Sequence, residues 1–208
     1  MLLDIHTHVS SPSLACIVNA EVLNFAPQAH AFYSVGVHPW HTSTDVKQAW
    51  EHVQQWAGHP SVLAIGEAGI DKLRGGPIDY QLDVFEQHIA LSESVGKPLV
   101  IHCVKAFNEL ISLHKHYRPK QCWVVHGYRN NWHIAQQLLA EGLFLSFGER
   151  FNAEVVQHMP EERMFAETDE SALPITAIIQ QLADCRQVSV ETFVQQLHES
   201  VRFFFFDR

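Results

Sequence analysis

The chain has 208 residues, with 14 Lys+Arg against 23 Asp+Glu and a net charge of −9, which argues against a general electrostatic grip on nucleic acid or an anionic membrane. With 47% hydrophobic and 18% charged residues, it has the material for one sizeable core and is not a disordered chain. Its longest apolar runs, such as 143–147, fall far short of the ~20 residues a membrane helix needs.

From the N-terminus, short apolar runs of strand character fall at 2–8, 15–19, 31–38, 62–67, 98–102, 122–126, 143–147 and 164–168. Several are apolar at nearly every position, as strands buried on both faces are. Helical patterns separate most of them. Thr44 is placed to cap a helix whose face is Val46, Trp50, Val53 and Trp56, ending at Gly58. Leu82, Phe85 and Ile89 repeat at helical spacing up to Gly96, with Pro98 beyond. Phe107, Leu110, Ile111 and His114 form the next face, and Trp132, Ala135, Leu138 and Leu139 another. Two helices close the chain, through Ile175, Ile178, Ile179 and Leu182, then Phe193, Leu197 and Val201. The run Phe203–Phe206 reads as a terminal helix face docked into the barrel wall.

Eight strands alternating with helices define an α/β chain built as a (β/α)₈ TIM-type barrel. Such barrels take ~250 residues, so this one is small and distorted. The shortfall lies near the start, where about six residues, Val9 to Leu14, join the first two strands. At ~3.3–3.6 Å per residue they just reach back along a strand. The first crossover helix is therefore expected to be missing and the second reduced to a turn, within one domain spanning 1–208.

Fifteen histidines outnumber the lysines and arginines together, and their placement carries the functional signal. His6 and His8, two apart on the first strand, share a face. Glu67 follows the fourth apolar run, His102 ends the fifth, His126 ends the sixth and Asp169 follows the eighth. All six fall at the C-terminal ends of strands, where barrel active sites are built. Buried carboxylates are rare unless paired or metal-bound, and no lysine or arginine sits on these strands to pair them. Four imidazoles and two carboxylates suffice for two divalent ions (Mg²⁺, Mn²⁺ or Zn²⁺).

The segments DIHTH at 4–8, GVHPW at 36–40, AIGEAGID at 64–71, PLVIH at 98–102, VVHG at 124–127 and ETD at 167–169 resemble, in order, the TatD-type metal-dependent hydrolases, whose best-known activity is Mg²⁺-dependent cleavage of DNA. The resemblance implies that His6 and His8 hold one ion and His102 and His126 the other. Glu67 would bridge them, and Asp169 would bind the first ion and orient the attacking water. Glu67 and Asp169 are thus the implied catalytic pair, with Asp169 as proton acceptor. His38 stands at the end of the third strand, either as a non-ligand substrate contact or as a structural histidine held by Pro39. The chain departs from the family at Val104, where an arginine is usual, at HisGlyTyrArgAsn 126–130, and after Asp169, where Glu170–Pro174 runs almost directly into a helix.

Lys72, Arg74, Lys105, Arg129 and Arg150 fall in the loops expected around the site. They would give an acidic protein a positive rim, with Trp40, Tyr128 and Phe151 as stacking surfaces for bases. The expected substrate is therefore phosphate-containing, DNA included, and the expected reaction is phosphodiester hydrolysis. The alternatives are an amidohydrolase-like enzyme that cleaves a small cyclic amide or ester, and a non-catalytic metal-binding barrel. No protein partner and no membrane is indicated. The start Met1-Leu2-Leu3-Asp4 lacks a basic signal-peptide region, and Cys16, Cys103, Cys122 and Cys185 form no CxxC pair. Both point to a cytoplasmic chain with reduced thiols.

Overall fold

The computed structural model describes residues 1–8 and 15–207. Eight parallel strands close into a barrel in chain order. They are β1 Asp4–Thr7, β2 Cys16–Asn19, β3 Phe32–Val35, β4 Val62–Asp71, β5 Leu99–Val104, β6 Trp123–Val125, β7 Phe144–Phe147 and β8 Met164–Ala166. Asp4 of β1 pairs with Ala166 of β8 and shuts the ring. Among the described residues there are seven α-helices: α1 Lys47–Ala57, α2 Ile78–Val95, α3 Phe107–Tyr117, α4 Trp132–Ala140, α5 Ala153–His158, α6 Ile175–Arg186 and α7 Val190–Phe205.

The short barrel expected from the alternation is the fold observed. Between β2 and β3 the crossover is a single 3₁₀ turn, Val22–Asn24. The expectation for Val9 to Leu14 lies outside the described residues. Two local expectations are corrected. The Thr44 hydroxyl donates to His41 O instead of capping a helix. It is the Asp45 carboxylate that takes the Lys47 N–H at the start of α1. Strand β4 does not end at Glu67 but runs on to Asp71. A register shift against β5 lies between Ile65 and Ala68. There Gly66, at φ +139°, backs so closely onto Val100 that a Cβ would sit 2.3 Å from its carbonyl oxygen. The shift re-aims Glu67 without ending the strand.

Ile5, Ile17, Ala64, Val100, Val124, Phe144 and Phe165 come from seven strands around the ring yet form one buried cluster with Leu2, Val201 and Phe204. Only the barrel lumen brings such residues together. Helix α7 starts at Ser189, whose hydroxyl accepts the Thr192 N–H. It buries Phe193, Leu197, Val201 and Phe204 at helical spacing. The Phe204 ring lies 4.8 Å from Phe144 and 5.0 Å from Phe165, so it plugs the lumen floor. The four phenylalanines therefore do not act as one docked face, since Phe203 and Phe206 are exposed. Phe204→Ala is expected to cost about 3–5 kcal/mol in urea denaturation, the range for emptying a buried aromatic site. Metal affinity at the opposite end should not change, and a loss below about 1 kcal/mol would show that the plug is dispensable.

The strand period of two carries this inner face upward. Two residues beyond Ile17, Val100, Val124, Phe144 and Phe165 stand Asn19, His102, His126, Ser146 and Glu167. An apolar layer thus supports a polar one at the C-terminal end.

Candidate metal centre

Strand β1 delivers His6 and His8. Its pairing with β8 continues past the strand ends through a bridge between Thr7 and Asp169. The Asp169 N–H donates to His6 O at 2.9 Å, and the His8 N–H donates to Asp169 O at 3.0 Å. Beneath them the buried Asp4 carboxylate accepts from the Thr168 N–H at 3.0 Å and the Thr168 hydroxyl at 2.7 Å. Asp169 takes the left-handed conformation, φ +53°, which aspartate tolerates better than most residues. The segment after β8 is thereby clamped to β1, and the Asp169 carboxylate stands beside both imidazoles.

Glu67 is the centre of the arrangement. His6 Nε2 lies 3.2 Å and His8 Nε2 3.3 Å from Oε2. On Oε1, His126 Nε2 lies at 2.7 Å, His102 Nδ1 at 2.9 Å and His38 Nε2 at 3.0 Å. Asn19 holds the residue in place, its Oδ1 accepting the Glu67 N–H at 3.0 Å. Burial alone would raise the Glu67 carboxyl, but His126, His6 and the hydrogen bonds from His102 and His126 hold it well below its ordinary value. Burial likewise opposes charge on His126, and the carboxylates of Glu67 and Glu167 overcome it and raise the imidazole well above its ordinary value. Protons and negative charge therefore concentrate where a cation would sit.

The donor set fits divalent ions. His6 is fully buried, and neither of its ring nitrogens makes a hydrogen bond, a costly state that a metal bond relieves. Donors held at ~2.0–2.2 Å around a tetrahedral ion lie about 3.3–3.6 Å apart. The measured separations are 3.2 and 3.3 Å from His6 and His8 to Glu67, and 3.9 and 3.7 Å from the same rings to Asp169. Among the described residues three overlapping sets gather donors within 4.8 Å: His6, His8 and Glu67; His6, His126 and Asp169; and His38, Glu67 and His102. His126 belongs to both halves of the cluster, touching Glu67 and also grouping with His6 and Asp169.

Hydrogen bonding separates His38 from the rest. Its Nδ1 accepts the Trp40 N–H at 3.1 Å, so the neutral ring carries its proton on Nε2, the nitrogen that faces Glu67. His126 is arranged the other way. Its Nδ1 faces the buried Glu167 carboxylate at 3.3 Å, which leaves the Nε2 lone pair for an ion, the usual carboxylate–histidine–metal pattern. The neighbouring thiol of Cys103 is pushed by burial up to about 12, so thiolate chemistry has no place here.

Above the cluster opens a cleft of about 620 Å³, bordered by Trp40, Arg74, Lys105, Arg129, Asp169 and Glu170 among others. A smaller arm of about 250 Å³ joins it at Arg129 and reaches Arg150. Arg74, Lys105 and Arg129 border the cleft, and Arg150 lines the smaller arm. Lys72 lines an adjoining hollow beside Arg74, with its ammonium paired to Glu109 of α3. The stacking surfaces shrink further. Tyr128 is buried with its hydroxyl donating to Asn131 O, and Phe151 packs against the outer core. Trp40 remains at the rim, 39% exposed, with the Arg74 guanidinium 4.5 Å from its ring centre.

A family model described as TatD related DNase matches residues 5–205. The chain belongs to the TatD-related DNase family. It is 31% identical to an uncharacterized metal-dependent hydrolase of Buchnera aphidicola subsp. Baizongia pistaciae, over 67% of this chain and 56% of that protein. It is 30% identical to the 3′-5′ ssDNA/RNA exonuclease TatD of Erwinia tasmaniensis, over 67% of this chain and 58% of that one. The matched region therefore spans under three-fifths of these relatives. In fold it is similar to YJJV, a TatD homolog from Escherichia coli K12, with a TM-score of 0.85, 19% identity, and coverage of 98% of this chain and 97% of that one.

Within this TatD-related chain, sequence reading passed over three residues of the centre: Asn19, Asp71 and Glu167. Glu167 and Asp71 lie inside the very segments that carry the family resemblance. The strand period offered a signal, because Glu167 follows Phe165 by two residues just as His126 follows Val124. Asn19 stands two residues beyond Ile17 by the same rule, but a neutral amide carries less of a metal-site signal than a carboxylate or an imidazole.

Proposed function

We propose that the chain is a divalent-metal-dependent phosphodiesterase acting on single-stranded nucleic acid, with residues 1–208 forming one hydrolase barrel. Its centre would hold two ions through His6, His8, Glu67, His102, His126 and Asp169. One observation carries the reading: a buried carboxylate ringed by five imidazole nitrogens at 2.7–3.3 Å, at the foot of a cleft bordered by arginines. The family and the exonuclease relative support the same chemistry. A cytoplasmic location belongs to this reading, in keeping with the thiols Cys103, Cys122 and Cys185. No helix among the described residues is long and apolar enough to cross a membrane.

When bound, such ions acidify a water and stabilise charge on a phosphoryl oxygen. The protein's part follows from its geometry. Asp169, 25% exposed, stands at the cluster's mouth with Oδ1 3.7 Å from His8 and 3.9 Å from His6. There it orients the water and accepts its proton. Its other oxygen lies 3.9 Å from Arg129, which places a phosphate held by that guanidinium next to the base. Arg150, Lys105 and Arg74 extend the charge along the strand, and Trp40 offers a ring edge beside it.

The test is a substrate panel on chelator-stripped protein with and without Mn²⁺. Mn²⁺-dependent shortening of an end-labelled single-stranded oligonucleotide, with a neutral ester left alone, is the expected result. Ester hydrolysis with the oligonucleotide intact would replace this reading with the amidohydrolase one. Tight Mn²⁺ binding with neither activity would make the chain a non-catalytic metal protein.

The double change Arg129→Glu, Arg150→Glu should raise KM for the oligonucleotide by at least about tenfold at low salt. Each lost phosphate contact on a single strand removes ~0.7 from the slope of log affinity against log salt, so the slope should fall by about 1.4. Metal content should stay as in the wild type. An unchanged KM and slope would show that these arginines do not meet phosphate.

A further inference from the structure

Asp71 closes β4 and is buried. Its Oδ1 accepts the N–H groups of Leu73 at 2.8 Å and Arg74 at 3.2 Å. Its Oδ2 accepts the Trp40 indole N–H at 2.6 Å and lies 3.2 Å from His102 Nε2. The opposite nitrogen of that ring, Nδ1, lies 2.9 Å from Glu67 Oε1. His102 is thus held between two carboxylates, one in the candidate centre and one behind it.

We propose that Asp71 is a positioning residue. It keeps the His102 proton on Nε2, so that Nδ1 presents its lone pair to the ion shared with Glu67, and it ties that choice to the Trp40–Arg74 wall of the cleft. The inference rests on the two-ion reading above.

A neutral imidazole has one N–H and one lone pair, and an ionised carboxylate only accepts. Three donors already fix Asp71, two backbone N–H groups on one oxygen and the indole on the other, so the carboxylate cannot turn away. The face left for His102 is an acceptor face. Trp40 therefore orients two histidines in opposite senses. Its backbone N–H takes the Nδ1 lone pair of His38 and puts that ring's proton toward Glu67. Its indole anchors the carboxylate that draws the His102 proton away from Glu67.

Asparagine cannot reproduce this. With its oxygen toward the two backbone N–H groups, its NH₂ meets the indole N–H and donates to His102 Nε2, which sends the proton to Nδ1. Turned around, the NH₂ meets both backbone donors. Outer carboxylates of this kind typically govern 10–100-fold in metal affinity.

The experiment titrates chelator-stripped protein with Mn²⁺, counting bound ions by electron paramagnetic resonance, and records ¹⁵N-histidine spectra of the Zn²⁺-loaded protein. Wild type should bind two ions, with His102 coordinating through Nδ1 and protonated on Nε2. Asp71→Asn should keep the first ion and bind the second 10–100-fold more weakly, without the Nδ1 signature. Trp40→Phe, which removes one of the three donors that fix Asp71 but keeps the carboxylate, should weaken the second ion less than Asp71→Asn does and keep the Nδ1 signature. Coordination through Nε2 in the wild-type spectra would overturn the proposal without any variant. So would two tightly bound ions in Asp71→Asn, or an equal loss in Trp40→Phe, which would assign the effect to cleft packing. In each of those cases the two-ion reading survives. A wild-type protein that takes up no second ion would instead bring down that reading, and the role of Asp71 with it.

Discussion

Glu67→Gln is expected to empty the centre of both ions and to lower turnover by at least about 10³-fold. The change is nearly isosteric, so the ring of imidazoles stays in place. What it removes is one acceptor oxygen and the charge. His38, His102 and His126 converge on Oε1, His6 and His8 on Oε2. Whichever side receives the NH₂, the lone pairs there meet a donor instead of a shared cation, and an amide is a weak ligand for hard divalent ions. Metal-supplied stabilisation is worth several kcal/mol, and at 1.36 kcal/mol per tenfold about 4 kcal/mol gives the stated loss. A second readout is independent of catalysis. An ion at 100 times its Kd stabilises the folded state by about 2.7 kcal/mol, which for a chain of this size raises Tm by roughly 5–11 °C. Wild type should show that shift on adding Mn²⁺ and Glu67→Gln should not. Retention of two ions at wild-type affinity would remove Glu67 from the bridging position.

The legible parts of this protein were those that repeat along one strand or one helix. His6 and His8 share a face because strands alternate, and His102 and His126 each stand two residues beyond a lumen residue by the same rule. The faces of α2 and α7 were visible because their apolar residues recur every three or four positions. What escaped was set by partners distant in sequence or by a break in the period. The fourth apolar run stops at the charged Glu67, and only the pairing with β5, whose register shifts between Ile65 and Ala68, carries the strand on to Asp71. The real end, Asp71, was thereby read as loop. Lys72 counted as a rim cation until Glu109, 37 residues on, took it up. Tyr128 followed a polar strand end and read as surface, yet its ring packs 6.0 Å from Phe107 and 6.2 Å from Phe147. Helix α5, six residues long, is too short to show a helical period.

Asp169→Asn is expected to lower kcat by 10²–10⁴-fold, the range for losing one general base, while KM for an oligonucleotide stays within about threefold. The separation follows from where Asp169 stands. Its main chain carries the β1–β8 bridge through the N–H to His6 O and the carbonyl from His8 N, and asparagine accepts the same left-handed backbone. The clamp beneath the site is made by Asp4 and Thr168, so it is untouched. In the proposed function phosphate binding falls to Arg129, Arg150, Lys105 and Arg74, none of which changes. What is lost is the negative charge and the basic lone pair at the mouth of the cluster. The first ion should also bind more weakly, because an amide oxygen is a poorer donor than a carboxylate. That effect is removed by measuring turnover at saturating Mn²⁺, with occupancy checked by titration. A deficit that persists when both ions are bound is the missing proton acceptor. A deficit that vanishes there would make Asp169 a ligand alone. The base would then have to be sought at Glu170, which also borders the cleft, or at His38, whose proton would have to leave Nε2 before the ring could accept another.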